Sequence, residues 1–549
     1  MIRTCALVIA ATLFVLLTKA CTKSESRPDT TLRFALASEF GDFDPLHAGS
    51  TTDQILQAQI YEGLCEYVPG VDDFSVRGLL AESWTVSADG LTWQFKLRTD
   101  AFFFDPSPNP LWPNARRRVT AADVEWSWQR MLNPTAGGAG AFAFDLVESI
   151  RSIDDETFEV VLANQDPSWL QRLASPYAVI YPQEAVARSA LRFGDNPVGS
   201  APYYLSKWEP PHLAVFSSTP DWASSRGAAP EFSRVEFLHV PEASTRTLMF
   251  QRGEIDRLPP LQDAFDSLLD GDQPNAELRA RGVTLVQTDT PDLTMIMFNM
   301  NDPVIGDIPG DVNGNQRRVL LRKALAAAFP YQQWNTVLRN GKWASPALRL
   351  LPPSLTATAL CKEISWRRED RKLARELLAQ AGWPDGEGLA TLHLELGGAD
   401  SASIDLGRLV QSAWQSIGIR CEFHPQGRAE FSRKLNQGKA QIFTWAWSLD
   451  WPDAGNLLQV FHSANSAPGI NKSNFRNQEF DFLFAAWSAS NDSDERNKLA
   501  AQMVAIIDQY APLIPVDHRR SWLLISSRLF IEMVNPFAPM PCRYFKARQ

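Results

Sequence analysis

Two carboxylates three residues apart, Asp450 and Asp453, stand among three tryptophans in the stretch WAWSLDWPD (445–453). An ionised carboxylate held against indole loses hydration that the ring cannot replace. Two kinds of chemistry answer that cost. Asp450 can await a positive charge that arrives with a ligand. Alternatively, Asp450 and Asp453 can face one cleft as the acid and base of a hydrolase. A loop aspartate with its tryptophans turned elsewhere is the plain reading.

Other reactive sets are missing. The chain has no HExxH pair, no GxSxG elbow and no GxxxxGK[ST] phosphate loop. Gly138-Ala-Gly140-Ala-Phe-Ala143 imitates a dinucleotide fingerprint but follows a helical pattern rather than a strand. Asp311-Val-Asn313-Gly-Asn315 starts like a calcium loop, yet Gln316 and Arg322 fall where glycine and glutamate are needed. The histidines (47, 212, 239, 393, 424, 462 and 518) are scattered, with none at helical pair spacing. No metal site, no cofactor and no enzymatic activity are expected.

The elements around Asp450 have a clear rhythm. Leu373, Leu377 and Ala381 share one face of a helix over 370–381, stopped by Gly382 and Pro384. A strand over 391–396, a helix over 402–417, a strand over 419–423, a helix over 429–437 and a strand over 441–447 follow. This β-α-β-α-β order builds a parallel sheet. Ligands of such sheets bind beyond the carboxyl ends of the strands, and Asp450 lies three residues past one. Upstream, strands are expected over 32–37, 91–97 and 157–163, and helices over 51–64 and from Thr120, where Asp123 completes a capping box.

At 549 residues the chain exceeds one core, so two or three domains are expected. Eighteen tryptophans are many, and an aromatic-lined cleft is one use for them. The net charge is −10, and setting aside the first twenty residues with Arg3 and Lys19 leaves −12. No basic block offsets this, so nucleic acid is not an expected partner. CALVIAATLFVLL (5–17) behind Arg3 is too short to span a bilayer but suits an export signal. Ala20 before Cys21 resembles a lipoprotein cleavage site, although Leu17 stands one position too early. Four further cysteines, Cys65, Cys361, Cys421 and Cys542, allow three disulfide pairings, and their spacing chooses none.

Several segments together resemble one family. They are YEGLCEYVPG (61–70), LAESWTVSADGLTWQFKLRTDAFF (80–103), VTAADVEWSWQRMLNP (119–134) and NPVGSAPYYLSKWEP (196–210), then RGEID (252–256), LLRKALAAAF (320–329) and FHSANSAPGINKSNFRNQEFDFLF (461–484). Their order and spacing are similar to those of extracytoplasmic solute-binding proteins of family 5, the receptors of peptide-type ABC importers.

That resemblance implies a two-lobed α/β periplasmic-binding-protein-like fold (class II, cluster C type) with an extra α+β domain inserted in lobe one. The signal would occupy 1–20 and the tether 21–31. Lobe one would comprise 32–67, 182–290 and 515–549, the insert 68–181 and lobe two 291–514. It implies a monomer in the periplasm, lipid-anchored through Cys21, that captures short peptides and works with a permease and an ATPase. Asp450 matches the family's anchor for the peptide amine. Ala446 and Ser448 on one side, and Gly49, Ser50 and Thr51 on the other, match its backbone-pairing positions. Trp447 and Trp451 would complete the cleft. Thr444 stands where one branch has an arginine, Ser448 where it has a cysteine, and the stretch 306–316 is an insertion. A receptor of the same fold for an oligosaccharide, an opine or a metal chelate is the alternative, with the Asp450/Asp453 hydrolase behind it.

Overall fold

The computed structural model describes residues 30–548 apart from 72, 189–191, 261–263, 340, 532–534 and 539. The expected export leader, residues 1–20, and Cys21 lie outside the described residues. Alternating apolar residues build two sheets in the first half. Strand Thr31–Leu36 runs parallel to Arg234–His239, which continues antiparallel to Leu213–Ser218 and Tyr203–Glu209. A second, antiparallel sheet is ordered Ala81–Val86, Thr92–Leu97, Thr157–Leu162, Val147–Ser152. Helix Ala121–Leu132 packs on this second sheet; its capping box forms as expected, and Val124, Trp128 and Met131 are buried on its inner face. Both sheets drain into one continuous apolar core.

The second half confirms the parallel unit. Strand Leu392–Leu396 pairs in parallel with Cys421–Pro425 on one edge and with Ile442–Ser448 on the other. Helices Ser401–Gln415 and Arg428–Asn436 make the crossovers. Strand Ile442–Ser448 also pairs along its whole length, antiparallel, with Asp292–Phe298. The sheet is therefore mixed, because a strand from far upstream closes its open side.

The two halves are joined by strands rather than by a loose linker. Strand Leu513–Ile525 pairs with Asp292–Phe298 through its first half and with Thr284–Asp289 through its second. One core is built largely from residues between Leu293 and Val516, and another from residues between Leu32 and Phe237 with Leu523 to Phe545. The fold is two-lobed α/β. The ladder crosses between the cores at Thr290–Pro291 and Arg519–Arg520, where Thr290 N–H donates to the Arg519 carbonyl at 3.0 Å.

Three expectations change. The helix from Thr51 ends at Gln57 instead of continuing to Leu64, and Glu62–Gly63 pairs as a short strand with Val179–Ile180. The cause is Glu62, fully buried between Arg226 at 3.0 Å and Arg543 at 3.4 Å, which pulls the chain out of helical register. The insertion 306–316 extends a helix: Asp311 caps Val312–Ala327 by accepting from Gly314 N–H, and Asn315 holds Ile308 through both its backbone groups. Finally, the cores absorb several of the tryptophans. Trp128, Trp169, Trp414 and Trp522 are fully buried, so part of the surplus of indole serves the cores rather than a cleft.

The four described cysteines are free, buried thiols. Burial pushes Cys361 up to about 11 and Cys65 and Cys421 up to about 12, so none is a ready thiolate. No helix among the described residues is long and apolar enough to cross a membrane.

Candidate ligand-binding site

Strand Ile442–Ser448 is built from alternating residues with different destinations. Trp445 and Trp447 pack against the second-lobe core, while Ala446 and Ser448 are exposed on the other face. One edge of the strand is filled by Asp292–Phe298 up to Ser448. On the other edge the ladder with Leu392–Leu396 reaches only Ile442 and Phe443. Thr444 uses its hydroxyl to accept from Gly397 N–H at 3.2 Å, and beyond it the strand outruns its neighbour. Among the described residues the backbone of 445–448 therefore has no strand partner on this edge, the kind of edge to which an extended chain can add.

Ser448, together with Asp292, Thr51, Gln54, Tyr61 and Tyr67, lines a cleft of about 440 Å³ between the lobes. Gly49, Ser50 and Thr51 are all exposed beside it. The Ser50 hydroxyl, however, is spent as a helix cap: it accepts from Asp53 N–H at 3.1 Å and donates to Asp53 Oδ2 at 2.7 Å. Ser50 has only backbone left to offer a ligand. No tryptophan among the described residues lines this cleft.

A second cavity of about 530 Å³ opens next to the first. It is walled by Asp166, Ser168 and Arg172 from the first half and by Trp451, Asn456 and Trp487 from the second. Asp450 lies in the chain between Ser448, on the wall of one cavity, and Trp451, on the wall of the other. Facing it is Tyr177, whose hydroxyl is pushed up first by burial and then by the negative charge of Asp450. Asp450 itself lines neither cavity; it is partly buried in the loop between Ser448 and Trp451, with Tyr177 and Arg172 of the first half as neighbours.

Asn456 holds the Asp450 loop. Its side-chain carbonyl accepts from Trp447 Nε1 at 3.0 Å and from Asp450 N–H at 3.4 Å, and its amide donates to Asp450 Oδ2 at 3.5 Å. Trp447 is consequently a positioning residue with its N–H committed inside lobe two. Asn456 is fixed in turn by helix Ala454–Leu458, which lies so close to Trp487 that a Cβ on Gly455 would collide with the ring.

The two carboxylates of the opening stretch differ in what they have. Asp453 caps that helix, accepting from Gly455 N–H at 2.7 Å, and pairs with Arg496 at 2.7 Å. Asp450 has no ion pair among the described residues. Burial pushes both carboxyls above the ordinary range; Arg496 opposes this at Asp453, whereas at Asp450 only the Asn456 amide and the more distant Arg172 do. Arg172 is itself occupied by Asp166 at 2.6 Å and Asp145 at 2.7 Å, and its guanidinium lies 4.2 Å from the centre of the Trp451 ring. Trp451 is 5% exposed and also stacks with Phe142, 6.5 Å away. It is a contact between the halves as much as a wall for a ligand.

Sequence reasoning missed Asn456, Tyr177, Arg172 and Phe142. Asn456 is six residues from Asp450, a spacing with no regular meaning, and the other three come from the opposite half of the molecule.

Residues 75–469 match the family described as bacterial extracellular solute-binding proteins, family 5 middle. Heme-binding protein A of Haemophilus influenzae is 25% identical over 94% of this chain and 92% of its own length. Among solved structures, HbpA2 from Haemophilus parasuis superposes with a TM-score of 0.80 at 22% identity, covering 94% of this chain and 100% of that one. DppA from Helicobacter pylori, solved in complex with the peptide STSA, gives 0.70 at 20% identity, with 94% and 98% covered. With this match across most of its length, the chain belongs to family 5 of the bacterial extracellular solute-binding proteins.

Proposed function

We propose that this receptor captures short peptides with a free amino end in the inter-lobe cleft and passes them to an ABC permease with its ATPase. The observation that carries the reading is Asp450: a carboxylate in the loop between Ser448 and Trp451, each on a cavity wall, pushed up by burial and lacking an ion pair among the described residues. A ligand ammonium restores what burial removed, in a charge-assisted contact worth about 1.5–3 kcal/mol. The open edge at 445–448 and the exposed backbone of 49–51 supply the rest. Backbone pairing gives affinity to any peptide and leaves side chains to roomy surroundings.

Relatives named for heme and for peptides share this fold, so the fold does not choose the ligand. Asp450 favours an amine-bearing one over a neutral sugar or an anionic chelate, since neither offers it a positive charge. The hydrolase alternative loses its second carboxylate, because Asp453 is bound to Arg496 and to a helix end. Export and a lipid on Cys21 belong to the same proposal.

Native mass spectrometry of gently purified protein tests it. The expected spectrum contains adducts of many masses that fragment as peptides within a narrow range of length. A single non-peptide adduct, such as a porphyrin or a sugar, overturns the peptide assignment and leaves the receptor in place.

A further inference from the structure

Strands Leu392–Leu396 and Cys421–Pro425 form the outer, parallel edge of the second-lobe sheet. Their register sets His393 opposite Glu422 and Glu395 opposite His424. By strand alternation these four share one face, while Leu392, Leu394 and Leu396 turn to the core. Histidines 31 residues apart in sequence are thereby brought together. His393 Nδ1 and His424 Nε2 are 3.1 Å apart, and the two rings stack with centroids 5.4 Å apart. Glu422 Oε2 is 3.8 Å from His393 Nδ1, and the three ligand atoms all lie within 4.8 Å of one another.

We propose that His393, Glu422 and His424 form a surface site for a divalent first-row transition cation of the imidazole-seeking kind, Zn²⁺, Ni²⁺ or Cu²⁺. Two nitrogens each about 2.0–2.1 Å from a tetrahedral ion stand roughly 3.4 Å apart, and nearer at a right-angled ion, so the 3.1 Å spacing is close to a ligating one, and the ion would displace the proton the two rings share. Glu422 is the third ligand: its side chain is 63% exposed and already 3.8 Å from His393 Nδ1. Two imidazoles with one carboxylate suit borderline ions rather than magnesium or calcium, which seek all-oxygen sets. Glu395 does not compete, being held by Lys434 and Gln426. Nor does the Cys421 thiol, which is buried and pushed up to about 12. The remaining coordination positions face solvent, so the ion would tie the edge strand to its neighbour and take water or an outside ligand. The site is carried by strands beside the one that bears Ala446 and Ser448, and the proposal is independent of the ligand assigned to the cleft.

Calorimetric titration of untagged full-length protein with ZnCl₂ tests it. One ion per chain is expected, with His393→Ala and His424→Ala each weakening binding at least about tenfold, no less than the loss seen when a supporting partner of a metal ligand is removed. Glu422→Gln should weaken it less. His212→Ala is the control: His212 and His239 also stack, with centroids 6.3 Å apart, but no third ligand joins them among the described residues. With Cu²⁺ as the probe, electron paramagnetic resonance should show nitrogen coordination that the His393→Ala/His424→Ala double variant loses. All these side chains are part-exposed, so the variants should melt like the parent without metal. Absence of stoichiometric Zn²⁺ binding, or binding unchanged in the double variant, overturns the site.

Discussion

Asp450→Ala should weaken peptide binding by about 2–5 kcal/mol, roughly thirty-fold to several-thousand-fold in Kd. The size follows from what the substitution leaves behind. On the proposed reading the ligand ammonium would be shut between lobes against Trp451, Tyr177 and the Asn456 loop. The carboxylates on the cavity walls are already engaged, Asp292 by Arg519 at 3.0 Å, Asp166 by Arg172 at 2.6 Å, and Glu62 and Glu66 by Arg543 at 3.4 and 2.7 Å. Asp453 cannot substitute, because Arg496 holds it. Asp450→Asn separates charge from shape: it keeps a side chain for Asn456 to hold, yet should lose most of the same affinity. Protonation should do reversibly what the substitution does permanently. The raised pKa of Asp450 means that the free receptor takes up its proton at a pH where an ordinary aspartate is still ionised. The neutral acid no longer attracts an ammonium, so affinity should fall as the pH drops through that raised value and stay flat above it. Asp450→Asn should remove this slope. Calorimetry across pH checks both; a slope that persists in Asp450→Asn would assign the titration to another group.

The second large effect concerns stability. Arg367 is completely buried in lobe two and donates to Asp508, which is 8% exposed. Burial pushes Asp508 up to about 6, and Arg367 together with Lys323 holds it from rising further. Asp508→Ala would leave a guanidinium in the core with the Trp366 ring, 5.3 Å away, as its main consolation. Removing one partner of a buried pair costs about 3–5 kcal/mol, whereas replacing both with apolar residues is often neutral. Urea unfolding should therefore show a sharply lowered midpoint for Asp508→Ala and recovery in Arg367→Met/Asp508→Leu. If the double variant is as unstable as the single one, the cost is lost packing rather than an orphaned charge.

What was legible in the sequence was local periodicity and its consequences. The β-α-β-α-β unit could be read because each strand and helix carries its own pattern and its own glycine stop. Placing Asp450 at a strand's carboxyl end followed from that. The capping box at Thr120 and Asp123 was equally local. The illegible part depended on partners far away in the chain. The helix from Thr51 stops early because Glu62 meets Arg226 and Arg543, respectively 164 and 481 residues distant. Arg367 reads as one charge in the run WRRED, and its burial depends on a helix 141 residues later. Asp450 and Asp453 look equivalent in sequence; the structure separates them by giving one an arginine and leaving the other without an ion pair among the described residues.

The central claim is that the Asp450 carboxylate receives the amino end of a bound peptide. Calorimetry of the wild-type receptor with one co-purified peptide and its N-acetylated counterpart tests it most directly, because acetylation removes the positive charge and leaves the rest of the ligand intact. The account predicts that acetylation costs as much affinity as Asp450→Asn does, and that acetylation costs little further in that variant. Equal affinity of the wild type for both peptides would contradict it.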